Sequence, residues 1–390
     1  MVWRIERVWG KTLTRRDFFK LTGLTGAAAV LAACAPGSSS PAASGAAVGS
    51  AAGTPRKIGG TMNLVAWAGY DDPKLLADFK ALYDVDVNVK LHSGDEELTA
   101  ILSAAKPGDY DVAVPDTPWI AIFQKDGWLA ELDPADFPQD DYYTRFKDFD
   151  QTSVDGKLYG IVTRWGYYGV IYNTDHITAE QADTSEVMYD PQFKKKVVLF
   201  DWYLPNMGMI GRLLGFEQPY DATGADLDKI KQKLFALRPQ VAAIQPTPND
   251  TITAMANETG WLSFGGEWQQ ALLKEQGNPI EVKAPKEGGV SWTEGAVILK
   301  DAANPEAAKA YLQYITSPQG AAQLAWAEAF HATVPNQRAV EHLQPDQIEV
   351  LRMGDSAAID ALLANVATRK IPPDEKAWQD IWDEFKAMSG

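Results

Sequence analysis

Apolar residues recur at strand spacing and at helix spacing in alternation from residue 58 onward. Residues 61–67 form a short apolar run that predicts a strand, and residues 72–83 place apolar side chains on one face of a helix. The same alternation predicts strands over 85–91, 110–114, 197–200 and 260–264, and helices over 96–105, 226–237, 269–275, 305–316, 319–327, 345–352 and 375–387. This order predicts an α/β fold with mainly parallel strand pairing.

Two longer extended segments, residues 158–172 and 289–299, have no amphipathic helix directly after them. Each is long enough to carry the chain from one lobe to another, and two such crossings predict a hinge. A globular region of this length usually folds as two domains. We therefore expect two lobes with these bounds: residues 58–164 plus 293–338 for lobe 1, and residues 165–292 plus 339–390 for lobe 2.

The amino terminus has the pattern of an export signal. Residues 14–20 (TRRDFFK) contain Arg15 and Arg16 before the apolar segment 21–33, which is typical of the twin-arginine route and too short to span a bilayer. It ends at Cys34, the only cysteine of the chain, in a lipobox-like LAAC. We expect residues 1–33 to be a signal peptide and Cys34 to carry a lipid, on the outer face of the cytoplasmic membrane or in the periplasm.

Residues 34–57 consist almost entirely of Ala, Gly, Ser, Pro and Thr. This composition cannot bury enough apolar surface to offset the entropy of ordering the chain. The segment is therefore predicted to be a flexible tether between the lipid and the folded body.

The whole chain has a formal net charge of −16. Such acidity argues against nucleic acid as a partner, because phosphates require clustered Lys and Arg. It also raises the local concentration of cations. The charge alone does not distinguish a cation-binding protein from an acidic secreted one.

Ordered motifs along the folded region give a family resemblance. They are Trp67-x-x-Tyr70, YDVAVPDT at 110–117, DGWL at 126–129, Trp165-Gly166, GVIYN at 169–173, PQFKKKVVLFD at 191–201, and PKEGG at 285–289 before Trp292-Thr293-Glu294. Together they resemble the spermidine/putrescine-binding components of bacterial ABC importers. The resemblance implies an α/β, two-lobed periplasmic-binding-protein fold, type II-like, with two hinge crossovers and a ligand cleft between lobes. It also implies a monomer without a cofactor that serves the membrane subunits of an ABC transporter.

The resemblance also implies which residues bind the ligand. Aromatic walls are expected from Trp67, Tyr70, Trp165, Phe264 and Trp292, which core packing would equally explain. Glu294 occupies the place of an amine-binding aspartate, Asp116 adds a carboxylate after a buried strand, and Thr117 lies beside it. Further candidate carboxylates are Asp201, Glu267 and Asp383, for which surface acids or helix caps are equal alternatives.

Several positions depart from the polyamine-binding pattern. Trp202 and Pro205 replace acidic residues of the family, and Pro118 and Ala332 replace aromatic ones. The ligand is therefore expected to be a polyamine or a similar small cation that is shorter or differently shaped.

Three alternatives stay open. Sugar binding fits the same fold, ferric-ion binding is indicated by Tyr167-Tyr168, and a secreted glycoside hydrolase could use Asp116 with Glu294. Against an enzyme, the chain has no Gly-x-Ser-x-Gly and no His-Glu-x-x-His motif. Its four histidines, His92, His176, His331 and His342, are scattered, so no metal site is expected. We expect a binding protein and not an enzyme.

Overall fold

The computed structural model of the protein describes residues 56–388. The predicted signal peptide, Cys34 and all but the last two residues of the predicted tether lie outside the described residues. Every helix within residues 56–388 is too short or too polar to cross a lipid bilayer.

Fourteen strands and twelve α-helices, joined by short 3-10 turns, make up the described region. The strands are β1 Thr61–Ala66, β2 Asp86–Leu91, β3 Val112–Ala113, β4 Ser153–Val154, β5 Lys157–Leu158, β6 Ile161–Asn173, β7 Val197–Phe200, β8 Val241–Gln245, β9 Leu262–Gly265, β10 Ile280–Lys283, β11 Gly289–Ile298, β12 Trp326–Ala327, β13 Phe330–His331 and β14 Val366–Ala367. The helices are α1 Pro73–Tyr83, α2 Asp95–Ala104, α3 Ile120–Lys125, α4 Tyr203–Leu213, α5 Gly224–Leu237, α6 Pro248–Ala256, α7 Glu267–Glu275, α8 Pro305–Thr316, α9 Pro318–Ala325, α10 Pro345–Leu351, α11 Ser356–Ala364 and α12 Glu375–Ala387.

The two long strands β6 and β11 lie in the middle of the main sheet, whose order is β2-β1-β3-β11-β6-β9-β7-β8. They pair with each other antiparallel, from Val290 opposite Tyr168 to Ala296 opposite Ile161. On either side of them the strands pair in parallel, β1 with β2 and β3 on one side and β7 with β8 and β9 on the other. The two extended segments found in the sequence are thus the connections between two α/β lobes.

Each parallel half of the sheet carries its own helices. On the β1 side, α8 contacts β1, and α1 contacts α8 and α9. On the β7 side, α4 contacts β9, while α12 contacts α4 and α5. This arrangement is the two-lobed α/β fold expected from the sequence, and the exact residue bounds of the lobes stay a prediction.

Local sequence explains the first βα unit of lobe 1. Asp72 caps α1 because its Oδ1 accepts hydrogen bonds from the backbone amides of Lys74 at 2.9 Å and Leu75 at 3.0 Å. Pro73 occupies the first helical position, where no amide hydrogen is needed. The helix buries Leu75 and Phe79 against the lobe 1 core.

Some elements differ from the sequence prediction. The strand expected over 110–114 is reduced to the two residues of β3, and the helix expected over 319–327 ends at Ala325, after which the chain forms β12. Strands β8 and β10 and helix α6 were not predicted. β8 is short and only partly buried, so its hydrophobic pattern is weak.

The last helix, α12, ties the carboxyl-terminal region to lobe 2. Its Trp378 is fully buried, stacks on Tyr220 with ring centroids 5.8 Å apart and directs its Nε1 toward the carbonyl oxygen of Ala222 at 3.4 Å. Large buried rings of this kind contribute strongly to core stability because they remove much apolar area from water.

We expect Trp378→Ala to lower the free energy of unfolding by about 3 to 5 kcal/mol, since it deletes a buried ring and leaves a cavity. Lys376→Ala on the exposed face of the same helix is the control and should leave the unfolding midpoint nearly unchanged. Urea unfolding followed by circular dichroism measures both. A loss for Trp378→Ala no larger than that of the control would contradict this role of α12.

Candidate functional site

A cleft between the two lobes is the candidate site, with about 250 Å³ of space for water-sized molecules. Seven aromatic residues dominate its lining: Trp67, Tyr168, Phe200, Trp202, Trp268, Trp292 and Phe330. The charged residues of the lining are Asp116, Glu294 and Arg369, and the other polar ones are His92, Ser93, Thr247 and Asn249. Most of the wall is therefore flat and apolar, with a few charged groups at defined positions.

The strand ends place these residues at the cleft. Trp67 follows β1, Asp116 lies just after β3, and Phe200 ends β7. In open α/β sheets, ligands bind beyond the carboxyl ends of parallel strands, which is where these three residues lie. Trp292 and Glu294 come from β11, one of the two strands that connect the lobes.

Gly166 of β6 lies directly opposite Trp292 in the ladder. A Cβ at Gly166 would lie 2.6 Å from the Trp292 indole and 2.5 Å from Glu267 Oε1. Any larger residue would therefore push the indole out of its place in the cleft.

The aromatic rings contact one another across the cleft floor. Trp268 stacks on Phe330 with ring centroids 5.2 Å apart and an angle of 18° between the ring planes. Trp292 packs edge-on against Phe330 with ring centroids 5.9 Å apart and an angle of 75°. Trp67 lies 4.5 Å from the imidazole of His92. Burial lowers the pKa of His92 to about 4, so this imidazole is neutral at neutral pH.

Glu294 is held by an ion pair with Arg164. The guanidinium donates from Nε to Oε2 at 2.8 Å and from Nη2 to Oε1 at 3.1 Å, and the hydroxyl of Tyr70 donates to Oε2 at 2.8 Å. Arg164 is fully buried, with its Cζ 4.4 Å from the Tyr70 ring centroid and 4.7 Å from that of Phe330. Because each carboxylate oxygen has two lone pairs, Oε1 keeps one for a further donor.

Asp116 lies beside Glu294 on the neighbouring segment and forms a second buried ion pair. Its Oδ2 accepts a hydrogen bond from Nη2 of Arg369, whose Cζ lies 4.5 Å from the Trp202 ring centroid. The backbone amide of Asp116 donates to Oδ1 of Asp95 at 2.9 Å. Burial raises the pKa of Asp116 to about 6; Arg369 opposes this shift and Glu294 adds to it.

Four of the predicted ligand-binding residues line the cleft: Trp67, Asp116, Trp292 and Glu294. Tyr70 lies behind the wall and reaches Glu294 through its hydroxyl. Thr117 is fully buried and donates to Oε1 of Gln151 at 2.7 Å.

The other predicted residues lie outside the cleft lining. Trp165 packs on Phe146 with ring centroids 5.2 Å apart, and Phe264 is buried on β9. Asp201 and Asp383 each pair with Lys386 at 3.1 Å, near α12. Ligand contact by these residues, as by those of the lining, stays a prediction.

Several lining residues could not be predicted from local sequence. Trp268 and Phe330 lie on α7 and β13, and Arg369 lies in the loop between β14 and α12. The partner of Arg369 is 253 residues away in the chain, so no local pattern links the two. Of the adjacent tyrosines, Tyr168 lines the cleft, whereas Tyr167 accepts a hydrogen bond from Arg352 at 3.2 Å. Burial raises the pKa of both phenols, which opposes their use as iron-binding phenolates.

Glu267, the first residue of α7, is buried, and its Oε1 lies close to Gly166, the residue opposite Trp292. Both of its carboxylate oxygens are buried without a hydrogen-bond partner among residues 56–388. Burial raises its pKa to about 7. The backbone amide of Glu267 at the start of α7 and the positive charge of Arg352 lower the pKa but only partly offset the effect of burial. Glu267 therefore keeps its proton to a higher pH in the folded protein than in the unfolded chain.

We expect Glu267→Gln to stabilise the protein increasingly as pH rises. A carboxyl whose pKa rises on folding destabilises the folded state above its unfolded pKa, so the gain should grow from about 1 kcal/mol at pH 5 to about 3 kcal/mol at pH 8. Urea unfolding at both pH values measures this. Glu328→Gln, at an exposed position, is the matched control, and an equal stability of Glu267→Gln and the parent at pH 8 would contradict the burial of a charge at this site.

Comparison with known proteins places these features in a family. Over 296 residues the chain is 27% identical to the spermidine/putrescine-binding periplasmic protein of Escherichia coli K12, covering 73% of this chain and 80% of the relative. The putrescine-binding periplasmic protein SpuD of Pseudomonas aeruginosa is 27% identical over 280 residues, covering 67% and 75% of the two chains.

A solved structure shares the fold. The spermidine/putrescine ABC transporter substrate-binding protein PotD of Streptococcus pneumoniae superposes with a TM-score of 0.69 at 19% identity, covering 84% of this chain and 98% of that one. This likeness confirms the predicted two-lobed periplasmic-binding-protein fold. The family model described as bacterial extracellular solute-binding protein matches residues 74–349, more than half of the chain. The chain belongs to the bacterial extracellular solute-binding protein family, which confirms the prediction of a binding protein and not an enzyme.

Proposed function

We propose that the protein is the extracytoplasmic component of an ABC importer and captures a polyamine or a similar small amine-bearing solute. One observation carries the proposal: Asp116 and Glu294 pair in a β-bridge, and both line a cleft whose walls are mostly aromatic. The relatives named for spermidine and putrescine support the same ligand class.

The chemistry of the cleft suits an alkylammonium group. An ammonium placed over an aromatic face gains about 0.5 to 2 kcal/mol, and a hydrogen bond to a carboxylate contributes about 1.5 to 3 kcal/mol. The remaining lone pair of Glu294 Oε1 and the carboxylate of Asp116 are the acceptors for its N–H groups. The faces of Trp67 and Trp292 provide the apolar surface for its methylene groups.

Capture is proposed to proceed by closure of the two lobes about β6 and β11. These strands are the long paired connections between the lobes, so a small change in their twist moves one wall of the cleft toward the other. Residues 58–164 plus 293–338 would move against residues 165–292 plus 339–390. The closed form excludes water and gives the membrane subunits of the transporter one shape to recognise.

Export and anchoring complete the proposal. The twin-arginine sequence 14–20 directs export of the folded chain, Cys34 carries the lipid, and the tether of residues 34–57 keeps the body close to the membrane. The protein acts as a monomer without a cofactor, and the lipid is its link to the membrane.

Calorimetric titration of the folded protein with a ligand panel tests the proposed ligand class. The panel contains diamines, spermidine, choline, amino acids, neutral sugars and ferric citrate at pH 7.5. At least one amine is expected to bind with micromolar affinity or better, because several contacts of the strengths given above outweigh the cost of association. Binding of a sugar or of ferric ion together with silence from every amine would overturn the proposal.

Asp116→Asn tests the site itself. Asparagine keeps an oxygen that accepts from Arg369 but removes the negative charge, so the affinity for the amine identified in the panel should fall about tenfold to a hundredfold. Asp380→Asn makes the same chemical change at an exposed position outside the cleft lining and should leave the affinity unchanged. Equal affinities of the two variants would show that the amine does not bind at Asp116.

A further inference from the structure

The charges of the cleft are already balanced within the protein. Glu294 is paired with Arg164 and Asp116 with Arg369, and all four side chains are at most 5% exposed. His92 in the same wall is neutral. Behind the wall, burial and the neighbouring Asp116 raise the pKa of Asp95 well above its usual range, which favours its neutral form. The two carboxylates and two guanidiniums sum to no net charge.

This balance sets the ligand charge that the closed cleft accommodates best. A diamine would bring two positive charges into a site that has no unpaired negative charge to meet them. Burial of uncompensated charge is strongly unfavourable because water no longer solvates it. A solute with one positive and one negative group leaves the site neutral.

Arg369 supplies a group that fits the negative end of such a solute. It lines the cleft and is 2% exposed, and only its Nη2 bonds to Asp116. Its Nε and Nη1 are buried and make no hydrogen bond of good geometry within residues 56–388, although the Tyr168 hydroxyl is close enough for the guanidinium to affect its pKa. A guanidinium has five N–H donors in a planar fork that matches a carboxylate.

The indoles of the lining add further donors. Nε1 of each of four lining indoles is buried without a hydrogen-bond partner within the same residues: Trp67, Trp202, Trp268 and Trp292. An indole N–H only donates, so it can bind a carboxylate but not an ammonium. Two indoles outside the cleft, those of Trp165 and Trp261, also lack partners. The guanidinium of Arg369 therefore carries the inference, and the indoles only support it.

We infer that the solute carries a carboxylate as well as an ammonium group, with Arg369 binding the carboxylate and Asp116 with Glu294 binding the ammonium. The inference rests on the proposed function, because it assigns the second charged group of a solute that enters the same cleft. It narrows the ligand class from amine-bearing solutes in general to amino acids whose amine and acid are separated by a short chain.

Paired ligands of equal length test this assignment. Amino acids with a terminal amine and two to six carbons are titrated calorimetrically beside the diamines with the same carbon number. At the best length, the amino acid should bind at least tenfold tighter than its diamine. Tighter binding of the diamine would overturn the inference and leave the proposed function standing, whereas silence from both series and from every other amine would overturn the proposed function as well.

Variants of Arg369 locate the carboxylate subsite. Arg369→Gln should lower the ratio of amino-acid to diamine affinity at least tenfold. It removes the group that binds the carboxylate and leaves Asp116 without its positive partner, which favours the second ammonium of a diamine. Arg338→Gln, at an exposed ion pair outside the cleft lining, is the control and should leave the ratio unchanged.

A second variant guards against misfolding of the first. If Arg369→Gln does not fold, the double variant Asp116→Asn/Arg369→Gln removes both partners of the ion pair and leaves no buried charge unpaired. The inference requires that the double variant lose the preference for the amino acid over the diamine. A preserved preference in a folded variant, single or double, would contradict the role of Arg369.

Discussion

The ion pair between Arg164 and Glu294 connects the sheet to the cleft. The two residues face each other in the ladder of β6 and β11, at the step next to the irregularity between Glu294 and Gly295. Two buried charges are costly unless hydrogen bonds satisfy both partners. Here the guanidinium also donates to the carbonyl oxygen of Ala68 at 3.0 Å, and Tyr70 donates to the carboxylate, so that only Nη1 of Arg164 lacks a hydrogen-bond partner among residues 56–388. The pair therefore links the register of β6 and β11 to the position of Glu294 in the cleft wall, and it neutralises the charge of that carboxylate.

The acidity of the chain and the neutrality of its cleft act at different distances. A net charge of −16 attracts cations at long range, at distances larger than the spacing of the individual charges. Inside the cleft, paired groups within hydrogen-bond distance dominate, because low-dielectric surroundings strengthen close interactions. Under the proposed function, the net charge of the protein favours the approach of cations, and the ion pairs of Arg164 and Arg369 select the solutes that fit the cleft.

Periodic segments of the sequence predicted much of the fold. The family resemblance, carried by motifs after β1 and β3 and on β11, gave Trp67, Asp116, Trp292 and Glu294. The charge state of the site could not be found in this way. Arg164 lies 130 residues from Glu294, and Arg369 is still farther from Asp116. Both ion pairs form only through tertiary packing, so the local pattern of hydrophobic and polar residues does not predict them.

Arg369 lies in a loop between β14 and α12 and belongs to no strand of the main sheet. Its side chain nevertheless supplies half of one of the two charge pairs of the cleft. A codon change at this position can alter the electrical character of the site while the strands that join the lobes keep their pairing. If Arg369 selects the solute as proposed, a duplicated gene can thus change its ligand preference through a loop residue while the paired strands that join the lobes are retained.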